Sequence, residues 1–511
     1  MKRLYYNGSI IDTEDGQKYD WLLIQDNLIK SKGFCNDMPK DLSEDEKYNL
    51  ERKTLIPAII DPHSHLTSYA ISTLQPSLES TKCFDDIISV VSGFIKENNP
   101  KEDEFIVCSG YDQNVLKEEM HPSKELLNRE FPNHPVVLQH ISGHMGVMNQ
   151  KALDLLNISN DNNGLLQEND YISSIKRIPL PGADAIKKAI VKAQNTYASF
   201  GIATAQEGMI AKEMIPIFKM AENEKLFFID ILGYADLKDY EQIFSSFSEC
   251  LHEYHNRVKI QGLKIFLDGS PQGKTAWMRE AYEGEKDGYN GFGTMSDEAV
   301  INAFKTALKL NKQLIAHCNG DAAADQILRC ASLAATPEEI ASLRPVVIHS
   351  QMLHPEIMPK LKEYGFILSF FPAHIYYWGE THVKNFGINR AHRLSSLKSA
   401  SNEGLVYTIH QDTPVLAPNL FKAMQSAILR KTKDGRVLGE SERLTPLEAL
   451  QAVTINASYQ YGEENIKGSL KEGKLADLAI LEENPLEMDP ERLDKIKVAA
   501  TIKEGKYIYI A

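Results

Sequence analysis

The chain has 511 residues, of which 43% are hydrophobic and 25% charged, and its formal net charge is −14. This composition is typical of a globular protein with a large core, and the acidic balance argues against nucleic acid or an anionic membrane as the main partner. No apolar run is long enough to span a membrane, no apolar segment follows Lys2 and Arg3, and the six cysteines form no Cys-x-x-Cys pair, which together favour a cytoplasmic location.

Short strands and turns are predicted at both ends of the chain. Residues 1–57 contain a hairpin signal at Asn7-Gly8 and a second turn at Asp15-Gly16. Residues 456–511 contain similar short segments, among them 478–481 and 498–510. Because neither end is long enough to bury a core alone, we expect both to pair in one small β-sandwich beside a main domain of residues 58–455.

Between the two ends, strand-like and helix-like segments alternate, which is typical of parallel βα units. The first strand is predicted to end at His63 and His65, and seven more are predicted at residues 202–207, 227–234, 259–267, 313–317, 346–349, 366–371 and 405–412. Eight parallel strands predict an α/β protein with a closed (β/α)8, or TIM, barrel. Residues 67–182 are too long for one connection, and we interpret them as an inserted lid over the barrel mouth.

Two histidines separated by one residue stand at the end of the first predicted strand. Successive side chains of a strand point to opposite faces, so His63 and His65 are expected on the same face. Two imidazoles bind a zinc, iron or nickel ion when further histidine or carboxylate ligands complete the shell. The pair alone is a weak signal, because two histidines at this spacing are often ordinary surface or core residues.

Further ligand-like side chains stand where other barrel strands are predicted to end. Barrel enzymes place their sites at the carboxyl ends of the strands, because the loops that follow each strand meet there. The polar residues found at these positions are Glu207, Lys264, His317, His349, His410 and Asp412. The sequence therefore predicts a metal site at this end of the barrel.

These motifs together resemble the amidohydrolase superfamily of metal-dependent hydrolases. The pattern Asp-Pro-His-Ser-His occurs at residues 61–65, and Ala58 stands where the superfamily pattern has a glycine. The other matching motifs are Ile-Ala-His-Cys-Asn-Gly-Asp at residues 315–321, Val-Val-Ile-His at 346–349 and His-Gln-Asp-Thr-Pro at 410–414. Lys-Ile-Phe-x-Asp-Gly-Ser from Lys264 and Gly143-His144 with Asn149 narrow the resemblance to amidohydrolase family 3, the YtcJ-like group that includes N-substituted formamide deformylases. The resemblance covers nearly the whole chain.

The resemblance implies a set of metal ligands: His63, His65, Lys264, His317, His349 and Asp412. It implies one or two divalent ions per chain, with zinc expected and iron, manganese and nickel open on ligand chemistry. It also implies that carbon dioxide carbamylates Lys264, whereas a simpler interpretation is that Lys264 pairs with Asp268 or Glu207. Asp412 is the implied catalytic carboxylate, which would pass a proton from a metal-bound hydroxide to the leaving amine.

Four further residues are candidates for substrate contact or for support of the ligands. Glu207 is a ligand, a partner of a ligating histidine or an ion-pair partner, and we favour the second role. His410 faces the same way as Asp412, and we favour a packed core histidine over an additional ligand. His144 and His374 could each contact substrate or lie at the surface, and an aromatic run, Tyr376-Tyr377-Trp378, is placed in the loop after the seventh strand.

The leading functional hypothesis is a metal-dependent amidohydrolase that hydrolyses a carbon–nitrogen bond, other than a peptide bond, in a small N-acyl or N-formyl amide. A second hypothesis is a one-metal cyclic amidohydrolase or aminohydrolase that acts on a heterocycle. A third, a non-catalytic barrel scaffold, predicts missing ligands, and all six are present. A homodimer is a superfamily-level expectation only.

Overall fold

The computed structural model describes residues 2–143, 145–160, 162–179 and 181–511. The chain divides into two compact units, Met1–Leu66 with Gln194–Ala511, and Thr67–Ala193. The second unit contains the whole of the segment 67–182. In the described ranges no helix is both long enough and apolar enough to cross a bilayer.

Strands from both ends of the chain form one eight-stranded sheet in the first unit, which we call the terminal sheet. Its order is β20-β19-β18-β5-β1-β2-β3, with β4 also paired to β1, and a shared apolar core that includes Tyr5, Leu22 and Ile480 lies against it. The pairing of the two termini is therefore confirmed. The strands are β1 (Lys2–Ile11), β2 (Lys18–Gln25), β3 (Leu28–Gly33), β4 (Lys47–Asn49), β5 (Thr54–Pro57), β18 (Leu478–Leu481), β19 (Val498–Lys503) and β20 (Lys506–Ile510).

The hairpin predicted at Asn7-Gly8 is not formed, because β1 runs through both residues. The register of β1 against β2 shifts between Tyr6 and Ile10, and Asn7 has a φ of 58°. Along the same edge β1 pairs first with β4 and then with β5. The irregularity lies where β1 changes partner, so a turn-like dipeptide produces a bulge here instead of a chain reversal.

The second unit contains a four-stranded sheet in the order β10-β9-β8-β7, in which β7 and β8 are parallel. Its two faces carry separate apolar clusters, one including Leu127 and Leu138 and the other Val137 and Leu153. The elements are α1 (Leu66–Ser72), α2 (Phe84–Asn98), β7 (Ile106–Tyr111), α3 (Lys124–Glu130), β8 (Val136–His140), β9 (Met145–Met148), α4 (Gln150–Leu155), β10 (Leu165–Gln167) and α5 (Glu168–Ile175).

The second sheet of the first unit consists of eight parallel strands, each paired with the next along the chain. These strands are apolar and buried, as expected for a sheet covered on both faces. The prediction of a (β/α)8 barrel is confirmed. The strands are β6 (Ile59–Ile60), β11 (Ile202–Ile210), β12 (Asp230–Asp236), β13 (Val258–Phe266), β14 (Gln313–Cys318), β15 (Val346–His349), β16 (Ile367–Phe370) and β17 (Tyr407–Ile409).

The helices that follow the strands show why this sequence alternates. In α9 the side chain of Ser296 accepts a hydrogen bond from the backbone of Ala299, and Val300, Phe304 and Ala307 form the buried stripe. The helices are α6 (Ala183–Ser199), α7 (Ile215–Asn223), α8 (Tyr240–Ser246), α9 (Asp297–Leu310), α10 (Asp321–Ala334), α11 (Pro337–Ser342), α12 (Met358–Glu363), α13 (Ala373–Ala391), α14 (Leu397–Glu403), α15 (Leu420–Leu429), α16 (Pro446–Ala452) and α17 (Ile455–Gln460).

A buried ion cluster joins the barrel to the terminal sheet. Asp230, the first residue of β12, lies 2.7 Å from the ammonium groups of both Lys467 and Lys503. Both lysine side chains are 1% exposed. Burial alone would raise the pKa of Asp230, but the two ammonium groups hold it well below its ordinary value. Glu463 lies 2.9 Å from Lys467 and Asp477 lies 2.7 Å from Lys503, so Asp230 is the carboxylate that the two buried ammonium groups share.

Replacement of Asp230 by asparagine should lower the free energy of unfolding by about 1–3 kcal/mol, because it removes the buried carboxylate that Lys467 and Lys503 share. Each ammonium group keeps one other carboxylate, that of Glu463 for Lys467 and that of Asp477 for Lys503. Urea unfolding at neutral pH measures this loss. Since the folded-state pKa of Asp230 is depressed, its stabilisation is present above the unfolded pKa of about 4 and is lost as the pH falls through the folded pKa.

The control for this measurement is Asp184→Asn, which removes a carboxylate that is 93% exposed and 4.0 Å from Lys187. A surface change of this kind should alter the free energy of unfolding by no more than about 0.5 kcal/mol. Equal losses in the two variants would show that the buried cluster does not contribute the stability assigned to it.

Candidate metal centre

The carboxyl ends of the barrel strands bring the predicted ligands together. His317 is the penultimate residue of β14 and His349 is the last residue of β15. Asp412 lies three residues after the end of β17. His63 and His65 do not lie in a strand as predicted, because β6 ends at Ile60 and Asp61-Pro62 turns the chain away from the sheet.

Asp412 lies at the middle of the cluster. Its Oδ1 is 3.2 Å from His63 Nε2 and 3.4 Å from His65 Nε2, and its Oδ2 is 4.0 Å from His349 Nε2. One ligand atom each from His63, His349 and Asp412 lies within 4.8 Å of the other two. His63 Nε2 and Asp412 Oδ1 are buried and make no hydrogen bond of suitable geometry. Buried polar atoms without partners usually mark the place of an ion or water.

The backbone of two of these residues has an uncommon conformation. His349 has a φ of 74° and Asp412 a φ of 53°, in the left-handed region that residues other than glycine rarely adopt. Each such residue costs on the order of 1–3 kcal/mol, which the surrounding packing has to offset. The conformations turn both side chains toward the cluster at the points where their strands end.

Gln206 determines which nitrogen of His63 faces the cluster. Its Nε2 donates to the carbonyl of Pro62 at 2.8 Å, so its Oε1 is the atom that accepts from His63 Nδ1 at 2.6 Å. With the proton on Nδ1, the lone pair of His63 lies on Nε2, the atom beside Asp412. The sequence interpretation missed Gln206 because it considered charged residues, although Gln206 directly precedes Glu207.

Gly208 allows the two histidine rings to approach β11. A Cβ at this position would lie 2.8 Å from His63 Cε1 and 3.0 Å from His65 Cε1. The backbone of Gly208 also donates to the carbonyl of Ser64 at 2.8 Å. The glycine is therefore required by the space that the imidazoles occupy, which only the folded structure reveals.

Lys264 on β13 is 1% exposed, and its charge acts on Asp412, His63 and His410. Burial lowers its pKa to about 7, while Asp412 acts in the opposite direction. Asp268, suggested from the sequence as its ion-pair partner, instead accepts hydrogen bonds from the backbone amides of Trp277, Asn319 and Gly320. Asp268 therefore fixes the loops after β13 and β14 and does not pair with Lys264.

His317 and His410 both contact His349, from opposite sides of its ring. His349 Nε2 is 3.0 Å from His317 Nδ1, and His349 Nδ1 is 3.1 Å from His410 Nε2. The other nitrogen of His317 is 3.2 Å from the carbonyl of Gly269, and that of His410 is 2.9 Å from Ser369 Oγ. His410 is fully buried, as expected for a core histidine, but it also supports a candidate ligand.

The remaining candidates have different surroundings. Glu207 is buried, and its backbone forms a bridge with that of His65. His374 is buried at the start of α13, where it lies 3.1 Å from His382 and stacks with it, so it is not a surface residue. Residues 376–378 belong to α13 and not to a loop. His144 lies outside the described residues.

Comparisons with known proteins place the chain among its relatives. Residues 46–509 match the model of the family described as the Amidohydrolase family. The chain is 22% identical to the YtcJ amidohydrolase of Bacillus subtilis (strain 168), covering 100% of this chain and 99% of that protein. It is 23% identical to the N-substituted formamide deformylase of Arthrobacter pascens, covering 91% of this chain and 90% of that one.

Among solved structures, an uncharacterized metal-dependent hydrolase from Pyrococcus horikoshii OT3 superimposes with a TM-score of 0.81 at 21% identity, covering 100% of both chains. At this identity the likeness shows a shared fold. The family match spans most of the 511 residues and includes every barrel strand that contributes to the cluster. The chain belongs to the amidohydrolase family.

Proposed function

We propose that the protein is a metal-dependent amidohydrolase that cleaves the carbon–nitrogen bond of a small N-acyl or N-formyl amide and releases a carboxylate and an amine. The observation that carries the proposal is the convergence of His63 Nε2, His349 Nε2 and the Asp412 carboxylate on one buried point. The family membership and the resemblance to a formamide deformylase support the type of bond.

The donor atoms of the cluster fit a divalent ion. Imidazole nitrogens and a carboxylate are ligands that zinc accepts, and His63 Nε2 and Asp412 Oδ1 are buried without hydrogen bonds. Asn319 Nδ2 donates to the carbonyl of Gly269 and also lies 3.0 Å from His317 Nε2, so this nitrogen of His317 is the acceptor. The proton of His317 therefore lies on Nδ1, 3.0 Å from His349 Nε2, and an ion bound by both rings would have to displace it.

We propose that the ion is zinc and that its ligands are His63, His65, His317, His349, Asp412 and Lys264. When bound, a divalent ion lowers the pKa of a coordinated water and polarises a carbonyl oxygen. Lys264 is proposed to carry a carbamate formed with carbon dioxide. Its burial favours the neutral amine, which is the nucleophilic form needed for that reaction.

Asp412 is the proposed catalytic residue. Two histidines contact its Oδ1, and its backbone conformation fixes the direction of the carboxylate. As a general base, Asp412 would accept a proton from the attacking water at a carboxylate oxygen and then donate it to the departing amine nitrogen. His63 is hydrogen-bonded to Gln206 and His349 to His410, and these two histidines would hold the carboxylate and the ion in a fixed position relative to each other.

A one-metal enzyme acting on a cyclic substrate is the second candidate, and one observation favours it. Among the described residues near the barrel mouth, His63, His349 and Asp412 have ligand atoms within 4.8 Å of one another, and three protein ligands are sufficient for a single catalytic ion. The two candidates differ in metal content per chain and in the product. A cyclic amide yields one ring-opened molecule that retains the nitrogen and an aminohydrolase releases ammonia, whereas an N-acyl amide yields a separate amine.

The proposed function is tested by amine release from a panel of N-formyl and N-acyl amines, using protein loaded with zinc in bicarbonate buffer. Asp412→Asn should lower kcat by about 10²–10⁴-fold, as expected for the loss of a general base. Chelated protein and Lys264→Ala serve as controls, and both should be inactive. Hydrolysis that persists in all three would contradict the proposed centre, and one bound ion per chain without amine release would direct the search to cyclic amides.

Gly208→Ala should weaken zinc binding by about 10- to 100-fold, because the added methyl group displaces the rings of His63 and His65. Competition with a chromophoric chelator measures the affinity, and circular dichroism verifies the fold. The matched control is Gly93→Ala in α2, where an added Cβ meets no atom within 4 Å. An unchanged affinity in Gly208→Ala would mean that these two rings do not hold the ion.

His410→Ala should weaken zinc binding by about 10- to 100-fold, because His349 Nδ1 loses its acceptor and the ring is free to rotate. His410→Gln should retain most of the affinity, since a glutamine Oε1 can accept the same hydrogen bond. Isothermal titration with zinc distinguishes the two variants. Equal affinities in both would show that His410 acts only through packing.

A further inference from the structure

A second cluster of potential metal ligands lies between α7 and β13. Glu222 is the penultimate residue of α7, Cys250 ends a short 3-10 helix at Ser248–Cys250, and His255 lies three residues before the start of β13. Glu222 and Cys250 are fully buried, whereas 41% of the His255 side chain is exposed. The Glu222 and Cys250 side chains are thus shielded from water, whereas that of His255 is accessible to it.

The three side chains converge on one point. A carboxylate oxygen of Glu222, Cys250 Sγ and a ring nitrogen of His255 all lie within 4.8 Å of one another. His255 Nδ1 is 2.5 Å from Glu222 Oε1, which also accepts from Asn256 Nδ2 at 2.9 Å. Lys219 donates to the other oxygen, Oε2, at 2.9 Å. Lys219 therefore neutralises Glu222 from the far side and leaves Oε1 facing the imidazole.

Cys250 has no other evident partner. In the described chain its sulfur takes part in no hydrogen bond, and burial raises the pKa of the thiol to about 12. Glu249, the preceding residue, has a carboxylate oxygen 3.6 Å from His255 Nδ1. Glu249 is 66% exposed and is not one of the three residues whose ligand atoms lie within 4.8 Å of one another. The group therefore supplies three protein donors, and a tetrahedral ion there would take its fourth ligand from water.

This cluster is separate from the candidate metal centre. His255 forms a backbone bridge with Val258, the first residue of β13, whereas Lys264 lies six residues further along the same strand. At about 3.3 Å per strand residue, the two sites are roughly 20 Å apart. The second cluster stands at the amino-terminal end of the barrel, where substrate chemistry is not expected.

We propose that Glu222, Cys250 and His255 form a second binding site for a divalent transition metal ion of the zinc type. Metal ligands bind in their deprotonated forms, so the ion would displace the proton between His255 Nδ1 and Glu222 Oε1 and the proton of the Cys250 thiol, and both protons would be released to solvent. Thiolate, imidazole and carboxylate together select zinc or cobalt over magnesium or calcium. Bound there, the ion would tie the segment before β13 to α7 and stabilise this end of the barrel.

Cobalt chloride tests the proposal, because only a thiolate ligand gives the near-ultraviolet sulfur-to-cobalt charge-transfer absorption. The full-length protein is stripped with a chelator, dialysed and titrated with cobalt. The band should develop in the wild-type protein and in His63→Ala, which damages the candidate metal centre. It should be lost in Cys250→Ser and in His255→Ala, and retained in the matched control Cys330→Ser, which removes another buried thiol.

The outcomes are independent of the proposed activity, because none of the ligands proposed for the catalytic centre contains sulfur. A band that persists in Cys250→Ser, or no band in the wild-type protein at saturating cobalt, would overturn the proposal. His255→Ala alters a partly exposed side chain and decides the question if Cys250→Ser fails to fold. An inactive protein that shows the band would still support the second site.

Discussion

The parallel pairing of the barrel strands is the constraint on which the candidate centre depends. Parallel strands end at the same edge of the sheet, so residues as distant as 63, 349 and 412 come within 4.8 Å of one another. The strands are also almost completely buried, so an unpaired charge at their ends carries a large desolvation penalty. The cluster therefore combines opposite charges and neutral imidazoles at a position that is shielded from solvent.

Hydrogen bonds behind the ligands complete this arrangement. Gln206 directs His63, and Ser369 and His410 direct His349, so each imidazole presents one defined nitrogen. None of the three supporting side chains carries a full charge when His410 is neutral, and burial lowers the pKa of His410 well below its ordinary value. The centre is thus oriented by neutral dipoles, which add no net charge to a buried site.

The sequence was sufficient to predict the barrel and seven of its strands to within a few residues. The ligand candidates that it names include His63, His349 and Asp412, whose ligand atoms converge. These features follow from long apolar segments and from histidines, lysine and aspartate at recurrent positions. The supporting residues were not predictable in the same way, because glutamine, serine and glycine occur widely and their roles depend on contacts between distant segments. Gly208 is important only because two rings from another loop fill the space beside it.

Local sequence patterns gave wrong predictions of secondary structure where contacts with other segments determined the conformation. Asn7-Gly8 has the composition of a hairpin, yet β1 continues through it because β4 and β5 occupy the same edge in succession. His63 and His65 share a direction although no strand contains them, since the bridge between His65 and Glu207 sets their backbone. The aromatic residues after β16 form the first turns of α13, where burial of His374 and Ile375 outweighs their weak helix propensity.

The pairing of β5 with β18 has a consequence for the synthesis of this protein. Pro57 faces Leu478, a separation of 421 residues along the chain. At about 5–20 residues per second, a ribosome needs roughly 20–80 s to produce β18 after β5 has been made. During that time one edge of β5 lacks its partner, and the barrel segments are translated before the terminal sheet can close. The terminal sheet is therefore completed after the barrel segments have been made, and β18, β19 and β20 close the fold of the first unit.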